Sequence, residues 1–215
     1  MSIRINFFRL SRSAAVLSIC FSLALLGGGF VGDAAAAGIS KEAREKKKKN
    51  KAPLIRKKTY DRLMRAQELV EAQQYNEALA VLKKIEGMSR LNSTENSQLW
   101  NFYAYIYFSQ GNYPKAITAY QKLLKQPDLQ PGLRASTLYT LSQLYFVTED
   151  YKRALSTVQE WMAITEAPGP DAYALLGQAY YKLEQYKKAI PPLKKAVALQ
   201  KERGKPVKEN WYLLL

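Results

Sequence analysis

Over residues 59–215 large apolar side chains recur at intervals of three and four, with polar residues between them. Residues three and four apart share one face of an α-helix, so each run is predicted to be an amphipathic helix that buries one stripe. The runs come in pairs. Tyr75-Asn76-Glu77-Ala78, Tyr113-Pro114-Lys115-Ala116, Tyr151-Lys152-Arg153-Ala154 and Tyr186-Lys187-Lys188-Ala189 open four segments with the same Tyr-x-x-Ala start, spaced by 38, 38 and 35 residues. A companion run precedes each of the last three: Trp100-x-x-Tyr103-Ala104-x-x-Tyr107, Leu138-x-x-Leu141-Ser142-x-x-Tyr145 and Tyr173-x-x-Leu176-Gly177-x-x-Tyr180. The first pair is degenerate, with Arg62, Arg65, Ala66 and Leu69 at the matching places, as expected of a unit that caps a stack.

The small residues have a steric purpose. Ala104, Ser142 and Gly177 lie where the second helix of each pair must come close, and Ala78, Ala116, Ala154 and Ala189 answer them from the other side. Repetition of a helix pair at this period predicts an all-α solenoid in which each unit packs on its neighbours. Polar or Pro/Gly-rich breaks are expected at 86–97, 126–132 and 167–170, with Gly111 at a turn inside a pair. Pro114 suits the first turn of its helix, where a missing N–H costs nothing. Pro191 and Pro192 fall later and are expected to bend their helix or delay its start. At the end of the sequence, Asn210-Trp211-Tyr212-Leu213-Leu214-Leu215 reads as the beginning of a fifth unit (209–215), with Trp211 placed 38 residues after Tyr173. An apolar half-helix is an odd place to stop, so the sequence is expected to be a fragment of a longer protein.

The first 37 residues have the three parts of a secretory signal. Arg4, Arg9 and Arg12 form a basic start, residues 14–31 an apolar stretch broken by Gly27, Gly28 and Gly29, and Ala35-Ala36-Ala37 a small-residue cleavage site. A cleaved signal places the protein in the periplasm. The alternative is an uncleaved inner-membrane anchor over residues 14–31, since about 18 apolar residues just span a bilayer. A lipoprotein signal at Cys20 is disfavoured by the bulky Ile19 before it and by the apolar run beyond it.

Net charge is +15, and its distribution matters more than its size. Residues 41–58, KEAREKKKKNKAPLIRKK, hold ten Lys/Arg against Glu42 and Glu45, a net +8. So dense a block of like charge buries too little apolar surface to offset chain entropy, and residues 38–58 are expected to form a disordered linker. It is read as a solvated tether, as a contact for an anionic membrane surface, or as a contact for an acidic protein. Nucleic acid fits poorly, because export removes the chain from it and the folded part shows no basic stripe. With no histidine and a single cysteine inside the apolar stretch, the usual general base, a thiol nucleophile and a Cys/His metal cluster are all missing. Glu149-Asp150 sits at a turn where solvation, not proton transfer, is expected, and Asn92-Ser93-Thr94 is read as a polar loop despite its sequon form. No enzyme activity, cofactor or metal is expected.

The paired motifs resemble the tetratricopeptide repeat (TPR), whose first helix reads W-x2-L-G-x2-Y and whose second opens Y-x2-A. That resemblance implies a right-handed superhelical scaffold with a partner-binding groove lined by first helices. The positions it assigns to the groove are Asn101, Tyr105 and Phe108, then Tyr139, Gln143 and Phe146, then Ala174, Gln178 and Tyr181. Rings there would supply contact area and amides would pair with a peptide backbone, although packing between helices is an equal use for any single ring. None of these positions holds Lys or Arg, unlike the carboxylate clamp of chaperone-tail receptors. The segments 99–107, 136–145, 168–173 and 209–211 are also similar to exported TPR proteins of TonB energy-transducing systems. That likeness implies partners of the TonB, ExbB and ExbD type; a structural or assembly factor for outer membrane or cell wall is the alternative.

Overall fold

The computed structural model describes residues 54–215. Among these residues the chain forms helices and no strand, in the order α1 (Lys57–Glu71), α2 (Tyr75–Glu86), α3 (Ser93–Ser109), α4 (Tyr113–Leu124), α5 (Pro131–Val147), α6 (Tyr151–Ala163), α7 (Pro170–Lys182), α8 (Tyr186–Glu202) and α9 (Glu209–Tyr212). The signal segment 1–37 and most of the basic tract lie outside the described residues. At the end of that tract Lys57 and Lys58 already belong to α1, so the helical part starts two residues before the expected boundary at 59.

The eight long helices associate as the pairs α1/α2, α3/α4, α5/α6 and α7/α8, and successive pairs meet through α2/α3, α4/α5 and α6/α7. The small residues lie where close packing requires them: Ala66, Ala78, Ala104, Ala116, Ser142 and Ala154 are fully buried. In the last pair the small residue is a glycine. A Cβ built on Gly177 would stand 2.5 Å from Leu193 Cγ and 3.2 Å from the Ala189 carbonyl oxygen, so α7 touches α8 through its bare backbone. The result is a TPR-type helical solenoid.

Within each pair the turn has one repeated geometry. The last turns of α1, α3, α5 and α7 close with Gln74 N–H donating to Leu69 O (2.7 Å), Asn112 to Tyr107 O (2.8 Å), Asp150 to Tyr145 O (2.8 Å) and Gln185 to Tyr180 O (3.0 Å). The preceding residues, Gln73, Gly111, Glu149 and Glu184, have φ of 58°, 71°, 62° and 59°. These are Schellman caps, in which a left-handed residue reverses the chain and satisfies orphan carbonyls. Only Gly111 is the residue such a position favours; three side chains accept the conformation because the repeat dictates it.

The break expected at 86–97 is shorter than read, because α3 starts at Ser93. Asn92 is its N-cap: Asn92 Oδ1 accepts from the Glu95 backbone N–H (2.9 Å) while Glu95 Oε2 accepts from the Asn92 N–H (3.1 Å). Glu95 is fully buried. Its carboxylate also accepts from Arg56 Nε (2.9 Å), Nη2 (2.8 Å) and backbone N–H (3.0 Å), and Asn92 Nδ2 donates to Leu54 O (3.1 Å). Burial alone would raise the Glu95 pKa; the bonds from Arg56, helped by the Asn92 N–H, outweigh it and hold the group at about 2. The chain ahead of α1 is thereby tied to the start of α3.

Pro114 lies in the first turn of α4, as read. Pro191 and Pro192 do not delay α8, which starts at Tyr186 and runs through both to Glu202. Trp211 in α9 is buried against Tyr173, Ala174, Ala196, Val197 and Val207, closing the end of the fourth pair.

Candidate functional site

The groove positions fall at i, i+4 and i+7 of α3, α5 and α7, so each trio occupies one face of its helix. Eight of the nine remain partly open. Asn101, Tyr105, Phe108, Tyr139, Gln143, Phe146 and Gln178 are half-buried, and Tyr181 is 38% exposed. Ala174 differs: it is buried beneath Trp211, because the segment after α8 folds back over that part of α7, and it cannot contact a partner.

The rings also have structural work. Phe108 meets Tyr113, Phe146 meets Tyr151 and Tyr181 meets Tyr186, with ring centres 6.1, 5.3 and 5.2 Å apart. Each contact joins the end of a first helix to the opening tyrosine of the second, across the left-handed turn. Tyr139 lies against Trp161 at 4.7 Å. Burial, then the charge of Asp171, pushes its hydroxyl up to about 12, against a smaller opposing effect of its hydrogen bond with Gln143. Tyr105 faces Tyr120, whose hydroxyl burial and this neighbour raise to about 12. One edge of each of these rings packs internally while part of it stays accessible.

A second surface was not legible as such in the sequence. Between α2 and α4, with α3 as its floor, lies a cleft of about 480 Å³. Trp100, Tyr103 and Tyr107 form the floor as a ladder, with ring centres 5.4 and 5.9 Å apart. Lys122 Nζ stands 3.9 Å from the Trp100 ring centre and Lys115 Nζ 5.4 Å from that of Tyr107. Lys83 and Glu86 edge the cleft from α2, and Tyr103 Oη donates to Glu86 Oε2 at 3.1 Å. Burial, then the Glu86 charge, raises the Tyr103 hydroxyl far above its ordinary value, so it stays a donor.

The corresponding junctions further along the chain are bridged by hydrogen bonds: Gln121 Nε2 donates to Tyr145 Oη (2.7 Å) and Gln159 Nε2 to Tyr180 Oη (2.8 Å). Lys83 occupies the place of those glutamines, eight residues after the opening tyrosine of its helix. This substitution was visible in the sequence once the repeats were in register. Among the described residues no acidic or cysteine cluster is placed to hold a metal ion, and no helix is long and apolar enough to cross a membrane.

Four stacked helix pairs, each with a small residue at its crossing, define a TPR-type helical scaffold of the protein-interaction class. Residues 39–197 match the RNPP family C-terminal domain, so the chain belongs to that family. It is similar to MamA (residues 41 to the end) from Desulfovibrio magneticus RS-1, at 26% identity over 69% of this chain and 79% of that one, with a TM-score of 0.56. The apo form of RapI (14% identity, 68% of this chain and 57% of that, TM-score 0.55) shares the fold. So does aspartyl phosphate phosphatase F from Bacillus subtilis (20% identity, 68% and 41%, TM-score 0.52). No curated protein matches the chain significantly.

Proposed function

We propose that this protein is a non-catalytic scaffold that holds an extended segment of a partner protein along the first-helix face formed by Asn101, Tyr105, Phe108, Tyr139, Gln143, Phe146, Gln178 and Tyr181. The observation that carries the reading is the recurrence, on three successive first helices, of accessible rings alternating with amides. Rings on a fixed helix supply contact area at little conformational cost, and amides can pair with both N–H and C=O of an extended peptide. None of these eight side chains is an acid or base that works near neutral pH, so the face is suited to holding rather than transforming.

The site of action in this reading is the periplasm, on the strength of the N-terminal signal pattern. The partner is a TonB, ExbB or ExbD component of an energy-transducing system, on the strength of the resemblance in segments 99–107, 136–145, 168–173 and 209–211. The basic tract 41–58 would then lie against the anionic membrane surface beside that complex.

The test is affinity capture from envelope extracts with the native protein and with a Tyr105→Ala, Phe146→Ala, Gln178→Ala variant, followed by mass spectrometry. TonB, ExbB or ExbD should be recovered with the native chain and lost with the variant. Recovery of wall or outer-membrane assembly factors alone would replace the TonB assignment with an assembly role, and a partner retained undiminished by the variant would remove the binding face.

A further inference from the structure

We infer that the space between α2 and α4, floored by Trp100, Tyr103 and Tyr107 and flanked by Lys83, Lys115 and Lys122, binds a short acidic peptide segment with an apolar residue between its carboxylates. At 3.6 residues per turn, this floor points roughly 130° away from Asn101, Tyr105 and Phe108 on the same helix. The site is therefore separate from the face proposed above and does not depend on that reading.

The internal repeats act as a control for what this junction would be if it only held the solenoid together. One repeat later, Gln121, Leu138, Leu141 and Glu160 stand where Lys83, Trp100, Tyr103 and Lys122 stand here. There the leucines are buried and the glutamine bonds to Tyr145, as an ordinary packed junction requires. Here leucine is replaced by larger rings and glutamine by lysine, yet the cleft stays open and its three lysines are exposed. Among the described residues none of the three forms an ion pair with a carboxylate.

The ligand class follows from the donors and their placement. Lys115 and Lys122 are two turns apart on α4, about 10 Å, close to the roughly 9 Å between residues i and i+3 of a polyproline-II segment, whose side chains share one side. Carboxylates at both ends of a four-residue stretch would meet both lysines, and an apolar side chain between them would lie on the aromatic floor. Glu86 offers an acceptor to peptide N–H groups beside the Tyr103 hydroxyl. A polyphosphate backbone has no donor to use it, so a peptide fits better than a nucleic acid.

The test is isothermal titration calorimetry on the full chain with acetyl-Glu-Leu-Phe-Glu-amide, acetyl-Gln-Leu-Phe-Gln-amide and acetyl-Lys-Leu-Phe-Lys-amide. The acidic probe should bind, with the neutral probe weaker by about tenfold or more, as expected when charge-assisted contacts are lost, and the basic probe silent. The variant Lys83→Gln, Trp100→Leu, Tyr103→Leu, Lys122→Glu borrows the composition of the next junction and should abolish binding. Lys83→Gln with Lys122→Gln touches only exposed side chains and should weaken binding by about tenfold even if the fourfold variant misfolds. Both variants keep the basic tract, so their loss assigns binding to the cleft, and Tyr105→Ala with Phe146→Ala should leave it unchanged. The inference is overturned if the native chain ignores the acidic probe, if the neutral probe binds equally, if the cleft variants bind like the native chain, or if oligo-dT binds the cleft more tightly than the peptide.

Discussion

Substituting Gly177 by alanine adds one methyl group where α7 meets α8 through bare backbone. Its Cβ would stand 2.5 Å from Leu193 Cγ, 2.9 Å from Leu193 Cδ2 and 3.2 Å from the Ala189 carbonyl oxygen. Ordinary carbon contacts lie at about 3.5–4.0 Å, so Leu193 or the whole of α8 must give way by about 1 Å. Leu193 is fully buried and has no open side to move into. Overpacking of this kind costs about 1–3 kcal/mol, and alanine returns at most about 1 kcal/mol through its better helix propensity. The net expectation is a loss of about 1 kcal/mol, or roughly 2–4 °C in melting temperature for a domain of this size. Hydrogen exchange should place the loss in α7 and α8, since a repeat array can open unit by unit. Leu193→Ala alone should cost about 2–5 kcal/mol. In that background the side-chain obstacle is gone and only the Ala189 carbonyl oxygen at 3.2 Å remains, so Gly177→Ala should become close to neutral. An equal loss in both backgrounds, or a gain in the native one, would refute the close-crossing explanation of the glycine.

Three further outcomes follow from particular residues. Glu95 titrates at about 2 when folded against 4.5 ordinarily, so its contribution is complete above about pH 4.5 and disappears as pH falls through 2. Urea unfolding from pH 6 down to 2 should therefore show a steeper acid loss in the native chain than in Glu95→Gln, which should already be less stable at pH 6. Glu149→Gly should stabilise by about 0.5–1 kcal/mol by relieving the left-handed turn, and Gly111→Ala should lose about 1 kcal/mol although nothing lies within 4 Å of its Cβ; thermal melts of both decide it. Trp211→Ala should cost about 3 kcal/mol or more and raise exchange in α7 and α8, because the indole fills the space between Ala174, Ala196 and Val197.

The fold was legible because its signal is repeated. One Tyr-x-x-Ala is weak, but four at spacings of 38, 38 and 35, each with a small residue a fixed distance upstream, leave a stacked helix pair as the natural packing. Boundaries were less legible. The polar run around Asn92 looks like a loop, and only the reciprocal bonds between Asn92 and Glu95, with Arg56 arriving from 39 residues away, make it the start of a helix. The prolines at 191 and 192 misled in the opposite sense, since α8 runs through both. For the site, register placed eight of nine residues on accessible first-helix positions. Ala174 failed because its cover, Trp211, comes from beyond the repeat to which it belongs. The cleft above Trp100 escaped because it is made by three helices together, and its lysines are spread over 40 residues of sequence.

The most direct measurement is in vivo photo-crosslinking with a benzophenone amino acid placed in turn at Tyr105, Phe146 and Tyr181, with Ile190 on the exposed side of α8 and Lys47 in the basic tract as comparisons. A protein adduct of one defined mass should form from the three first-helix positions and not from Ile190. Adducts only from Lys47, or none from any first-helix position, would contradict the claim that this solenoid works by holding a partner along that face.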